Sequence, residues 1–281
     1  MKTGLVLEGG GMRGLFTAGV IDVMMEAGIE FDGLIGVSAG SSFGCNYKSR
    51  QPGRVLRYNT KYCNDSRYMG IATLLRTGNL VGAEFAYHTL PLELDLFDIE
   101  EFECNPMKFE LVCTDVDTGE PVYYQMDRVT YNSLEWLRAS ASMPIVTRPV
   151  KLDGRKLLDG GISDSIPLKH FQRQGYNRNV VVLTQPRDYR KKPAPGWLFK
   201  LLMPSCPEIA RAMSRRHIMY NEQLDYVSSQ AELGDTLIIA PEHPLDIGRV
   251  EKNPQKMKEV YTIGRSMCQS LITELKEFCS R

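Results

Sequence analysis

The chain has 281 residues, room for one large domain or for one domain with a modest extension. Apolar residues make up 43% and charged residues 24%, which excludes a disordered or fibrous chain. Its 34 Lys and Arg balance its 34 Asp and Glu, which argues against recognition of nucleic acid through bulk charge, and no apolar run is long enough to read as a membrane-spanning helix.

Residues 1–8 hold a short apolar stretch broken by Glu8, which reads as a strand rather than a signal peptide. It ends in Gly9-Gly10-Gly11. Leu15, Ala18, Gly19, Val20, Val23, Met24 and Ala27 then recur at helical spacing, and Gly28 stops the helix. Leu34-Ile35-Gly36-Val37 reads as a second buried strand, followed by Ser38-Ala39-Gly40 and another helix. Strand, helix and strand within so few residues form a βαβ unit and imply a parallel sheet.

Further on, 109–114 and 121–124 read as a strand pair around Asp117-Thr118-Gly119-Glu120. The runs 150–152 and 156–158 flank Asp153-Gly154, a hairpin signal. Residues 179–184 form another buried strand. From 186 to 196, three prolines with Arg187, Arg190, Lys191 and Lys192 mark a surface connection. Residues 208–232 and 254–279 read as helices on either side of the strand-like 236–240. The chain therefore parses as an α/β core over residues 1–185 and a mostly helical extension over 186–281. Seven cysteines, odd in number and without a Cys-x-x-Cys pair, indicate neither a zinc site nor a disulfide framework. A reducing, cytoplasmic location is expected, with contact to a membrane surface at most peripheral.

Gly36-Val37-Ser38-Ala39-Gly40 matches G-x-S-x-G at a strand–helix junction. A sharp turn there strains the serine and projects its hydroxyl, while Gly36 and Gly40 keep neighbouring backbone from clashing. The helix N-terminus and the Ala39 N–H can stabilise an oxyanion. A tightly packed small-residue turn is the alternative. Gly9-Gly10-Gly11-Met12-Arg13-Gly14 also joins a strand to a helix. As a dinucleotide fingerprint it would require a carboxylate at the end of the second strand, where Val37-Ser38 stands instead. The loop serves better as a source of backbone N–H groups near Ser38, and no dinucleotide is expected.

A serine hydroxyl needs a base. Of four histidines, His88, His170 and His217 lie in contexts that read as core edge, helix start and solvated basic run. His243 follows a strand late in the chain, where an α/β-hydrolase places its histidine, yet that fold builds several strands before its nucleophile and residue 38 comes too early. Among Asp-Gly pairs, Asp32 begins its strand and Asp153 sits in the hairpin turn. Asp159 follows Leu157-Leu158 and precedes Gly160-Gly161, which leaves its carboxylate at a strand end. Partial burial would raise its basicity.

These residues carry a resemblance. Gly9–Gly14, Gly36–Gly40 and Asp159-Gly160-Gly161, with Thr114-Asp115-Val116-Asp117-Thr118-Gly119 and Ala139-Ser140-Ala141-Ser142-Met143-Pro144 between them, resemble the bacterial patatin-like phospholipases from residue 4 to about 185. The resemblance implies a three-layer α/β/α sandwich with a mostly parallel sheet. It also implies a Ser38–Asp159 dyad, an oxyanion hole at Gly9–Gly14 and hydrolysis of lipid carboxylic esters of the phospholipase A or lysophospholipase type, phospholipid or lysophospholipid being the expected substrate, with no metal or other cofactor. A non-catalytic regulator that binds a lipid or a partner on the same fold is the alternative. Near the extension, Arg187, Arg190, Lys191 and Lys192 precede Trp197-Leu198-Phe199. That composition suits an interfacial contact with anionic lipid, or else a short helix that packs Trp197, Leu198, Leu201 and Leu202 onto the core beside solvated lysines.

Overall fold

The computed structural model describes residues 1–280. The first βαβ unit comprises β1 (Lys2–Leu7), α1 (Gly14–Glu26) and β2 (Gly33–Val37), and α2 (Ala39–Lys48) follows directly. Three helices come next: α3 (Arg54–Tyr62), α4 (Ile71–Thr77) and, after a π-helical segment at Phe85–Leu94, α5 (Ile99–Cys104). Then come β3 (Lys108–Asp115), β4 (Pro121–Gln125), α6 (Tyr131–Ser140), β5 (Val150–Leu152) and β6 (Arg155–Asp159). The chain continues through α7 (Leu168–Arg173), β7 (Tyr176–Val182), α8 (Gly196–Leu202), α9 (Pro207–Glu232) and β8 (Thr236–Ile239). It closes with α10 (Pro254–Ser270) and α11 (Ile272–Ser280).

All eight strands form one sheet in the order β5-β6-β3-β2-β1-β7-β8, with β4 also paired to β3. The run from β3 to β8 is parallel, and β4, β5 and β6 are antiparallel additions. Alternation along each strand divides the core between two faces. Leu5, Leu7, Leu34, Leu111 and Val182 pack beneath α1, α2, α6 and α10, while Val6, Ile35, Val37, Val112 and Val181 face α7 and α9. The result is the three-layer α/β/α sandwich with a mostly parallel sheet. The strands with helices on both sides read as continuous apolar runs because both faces are covered.

Residues 186–280 are mostly helical and also supply β8, which pairs with β7 from Asn179 to Val182. The α10 helix lies against α1 at backbone distance. A Cβ at Gly19 would collide with the Tyr261 carbonyl, and one at Gly264 with the Phe16 carbonyl. Tyr261 donates to Asp22 at 2.6 Å across this crossing, and the Gly53 N–H reaches the same carboxylate oxygen at 2.8 Å.

Candidate active site

β2 ends at Val37 and α2 begins at Ala39, so Ser38 alone makes the turn. It does so at φ 56° and ψ −123°, a left-handed conformation that an L residue adopts only when its surroundings impose it. The Ser38 N–H donates to Ser140 Oγ at 3.1 Å, and the Ser38 carbonyl accepts from Ser41 Oγ at 2.7 Å and from the Ser41 and Ser42 N–H groups. Ser140 Oγ also accepts from Ser41 Oγ at 2.9 Å and donates to the Val112 carbonyl at 2.7 Å. The expected glycines allow this closeness. A Cβ at Gly40 would collide with the Leu7 carbonyl, and one at Gly9 would lie 2.8 Å from Ser38 Cβ, so the end of β1 is pressed against the elbow. Gly36 gives the same clearance against Ser41.

Strand register brings the second residue in. Val37 lies opposite Val112, and the next residue of β3, Cys113, lies opposite Asp159 at the end of β6. Gly160 passes so close to the Val112 carbonyl that a side chain would not fit. The Asp159 carboxylate accepts the Gly161 N–H at 2.8 Å, and the Ser38 side chain lies near enough to act on its ionisation. Its backbone is fixed by Ser142 O and Thr114 Oγ1, each at 2.8 Å. Burial pushes the Asp159 carboxyl above the ordinary carboxylate range, opposed by the Ser38 side chain, by the Gly161 hydrogen bond and by the charges of Arg216 and Arg249. The serine and the aspartate line one cavity, both nearly closed to solvent.

The glycine loop divides into two parts. Among the described residues, the N–H groups of Gly10, Gly11 and Ala39 make no hydrogen bond, and these residues share cavity walls with Ser38. The N–H groups of Met12, Arg13 and Gly14 are engaged, by the Arg249 carbonyl at 3.2 Å, the Gly10 carbonyl at 3.4 Å, and the Gly11 and Met12 carbonyls. The expected donor set therefore narrows, because the loop turns into a 3-10 helix at Gly11 and uses its own carbonyls. The Gly9 carbonyl accepts from Thr184 Oγ1 at 2.9 Å. Buried Glu8 underpins the loop by accepting the Thr184 N–H at 2.6 Å and the Tyr220 hydroxyl at 2.7 Å.

None of the four histidines hydrogen-bonds Ser38. His88 pairs with Glu135 at 3.0 Å, His170 with Glu110 at 3.2 Å, and His243 is exposed in the loop after β8. His217, expected to be solvated, is half-buried in the wall of the outer cavity. Asp32 caps Thr3 and Asp153 accepts from Trp136 Nε1 at 2.9 Å, so neither approaches Ser38. Sequence reasoning missed Ser140, Glu8, Arg216 and Arg249. Arg216 adjoins His217 in the basic run expected to be solvated, yet its guanidinium donates to the Gly161 carbonyl.

Ser38 lies where two cavities meet. An apolar slot of about 150 Å³ runs under α2, lined by Phe43, Tyr58, Met69, Leu90, Phe97 and Leu137 among others. A wider funnel of about 790 Å³ opens outward past Asp159, with Arg13, Lys191, Arg216 and Arg249 in its walls. Chemically, this arrangement offers a positioned hydroxyl, a buried carboxylate in the same cavity wall, free N–H donors, and an apolar-lined slot. No cluster of His, Cys, Asp and Glu that could hold a metal ion occurs among the described residues.

A family model described as patatin-like phospholipase matches residues 5–171, and one described as a domain of unknown function (DUF6363) matches residues 206–280. The chain is 29% identical to the uncharacterized protein YjjU of Escherichia coli, over 94% of this chain and 75% of that protein. It is 26% identical to the lysophospholipase nte1 of Aspergillus fumigatus over 97% of this chain, which spans only 18% of that much longer protein. Among solved structures, VipD from Legionella pneumophila aligns with a TM-score of 0.48 at 13% identity, over 97% of this chain and 67% of that one.

Proposed function

The chain belongs to the patatin-like phospholipase family, and from that premise we propose that it is a serine acyl hydrolase that cleaves carboxylic ester bonds of lipids with Ser38 and Asp159. One observation carries this reading: Ser38 holds a strained left-handed turn in the same cavity wall as the buried Asp159 carboxylate, at the mouth of an apolar slot. In the proposed reaction Ser38 Oγ attacks the ester carbonyl and its proton passes to Asp159. The N–H groups of Gly10, Gly11 and Ala39 hold the oxyanion. Collapse expels the alcohol, which takes the proton from Asp159 and leaves an acyl ester on Ser38. Water then attacks, Asp159 takes its proton, and the fatty acid departs as Ser38 is reprotonated. Raised basicity from burial suits Asp159 to this exchange.

Access to lipid has its own support. No helix of the described residues is long and apolar enough to cross a membrane. Instead α8 buries none of its residues fully: Trp197 is 67% exposed and Leu201 68%, one turn apart. The expected packing of both onto the core therefore fails; only Leu198 and Phe199 turn partly inward, and Phe199 lines the funnel with Ile145 and Val250. The rim is thus apolar, with exposed Lys192 and Lys200 beside it. We assign this surface to transient docking on a lipid bilayer.

The dyad is tested with Asp159→Asn and His243→Ala, using a water-soluble carboxylic ester. The aspartate variant should lose about three orders of magnitude or more in kcat while still melting cooperatively, and the exposed histidine variant should match the parent. In the parent, kcat should fall as pH drops through the raised Asp159 pKa, because only the carboxylate accepts a proton, so the acid limb lies above the ordinary carboxylate range. A histidine variant that loses activity while Asp159→Asn keeps it would replace the dyad with a triad.

A further inference from the structure

The Asp159 turn is held from a segment outside the patatin-like match. Gly161 donates its N–H to Asp159 Oδ1 at 2.8 Å. The Gly161 carbonyl accepts Arg216 Nε–H from α9, and it accepts the Ser165 hydroxyl at 2.8 Å. One glycine therefore stands between the carboxylate and the guanidinium. A Cβ on it would press at 3.1 Å on both Arg216 Nη2 and Asp159 Oδ1, so a single methyl group would bridge the gap between them. One turn further along α9, Tyr220 donates to Glu8 at 2.7 Å, beneath the glycine loop. The helix thus reaches both halves of the site.

Two carboxylates, Glu8 and Asp159, give counter-charge to the cations of the funnel. Both Glu8 oxygens are engaged, by Thr184 and by Tyr220. Among the described residues, the other hydrogen bond of Arg216 is a long one, from Nη2 to Ser165 Oγ at 3.5 Å. Burial raises the Asp159 carboxyl, and Arg216 is the larger of the two arginine charges that oppose the rise. Burial likewise lowers Arg216, and Asp159 is the leading charge that restores it. Arg249 also faces the pair, as does Lys191, which is half-buried rather than merely solvated as expected. The titratable groups close by are Tyr220, Tyr87 of the π-helical segment and Cys113 of β3, while Arg13 and His217 share the funnel wall. A guanidinium that grips a backbone carbonyl beside a buried carboxylate can both offset its charge and fix its turn.

We propose that Arg216 is a positioning residue for the Asp159 base: it holds Gly161 so that the Gly161 N–H stays aimed at the carboxylate, and its charge favours the ionised carboxylate that takes a proton. The proposal rests on the hydrolase reading and adds to it a role for α9. That helix lies in the segment matched by the domain of unknown function, so the later part of the chain completes the base rather than merely covering the sheet.

The test follows hydrolysis of an uncharged, water-soluble carboxylic ester by the full chain across pH, with Arg216→Gln, Arg216→Met and Arg216→Lys. Losing a neighbouring cation makes the carboxylate harder to form, so both neutral variants should move the acid limb of kcat upward by about one pH unit. Arg216→Lys should leave the limb in place yet lower the plateau kcat several-fold, because a lysine keeps the charge without the planar fork that grips the carbonyl. KM for the uncharged ester should stay within about twofold throughout. A cooperative melt of each variant checks folding, and Arg216→Met keeps the packed stem. His217→Asn should leave the limb where it is. A limb that stays put in both neutral variants, or that moves with His217→Asn instead, overturns the proposal. So does a rise in KM with kcat and limb unchanged, which would make Arg216 a substrate contact. Where neither neutral variant folds, an unreduced plateau in Arg216→Lys overturns it. A parent that hydrolyses no ester at any pH overturns the hydrolase reading instead, a result that none of the other outcomes resembles.

Discussion

Ser140 joins more of the elbow than any other side chain, since its one hydroxyl meets Ser38 N–H, Ser41 Oγ and the Val112 carbonyl with no solvent exposure. Ser140→Ala strands the Ser38 N–H and the Val112 carbonyl, which should cost about 1–3 kcal/mol in stability. It should also lower kcat at least about tenfold with KM little changed, because the left-handed Ser38 is then less firmly imposed. Thermal melting and steady-state kinetics read the two effects, and an unaltered kcat would free the elbow from Ser140. At this scale legibility followed sequence distance. Ser38 and Asp159 were readable because each sits in a short run of glycines at a strand end, where local geometry leaves its mark. Ser140, Glu8 and Arg216 were not, because their partners lie 102, 176 and 55 residues away, and nothing near them in the chain announces the contact.

The elements divide in a similar way. The strands were legible from apolar runs bounded by turn residues, and the hairpin from Asp153-Gly154, whose residues both take positive φ. The helices between residues 54 and 104 were not. Arg54 and Asn59 of α3 are buried, Arg54 donating to Asn46 Oδ1 at 2.8 Å and to the Asp95 carbonyl, so buried polar residues interrupt the apolar period. The single helix expected over 254–279 is broken at Leu271 into α10 and α11. The α1–α10 crossing has a direct test. Gly264→Ala places a methyl group against the Phe16 carbonyl, and neither backbone can yield easily. The substitution should lower stability by about 1–3 kcal/mol in denaturant titration. A neutral result would mean that the two helices are not held at backbone distance.

At the scale of the whole molecule, the core expected over 1–185 and the extension over 186–281 share one sheet through β8, one helix crossing through α10, and one loop support through Tyr220. We propose that they act as a single body, in which the later segment supplies the funnel's Lys191, Arg216 and Arg249 and the docking helix. Docking predicts that Trp197→Ala with Leu201→Ala reduces flotation with phosphatidylglycerol vesicles several-fold, since both side chains are exposed and removing them leaves no core cavity. Unchanged flotation would return α8 to an ordinary surface helix. The central claim, that Ser38 is the nucleophile of an acyl hydrolase, is tested most directly by fluorophosphonate labelling followed by peptide mass spectrometry. One adduct on the peptide that contains Ser38, formed in step with loss of ester hydrolysis and absent in Ser38→Ala, is the predicted result. Hydrolysis or labelling that persists in Ser38→Ala would contradict it.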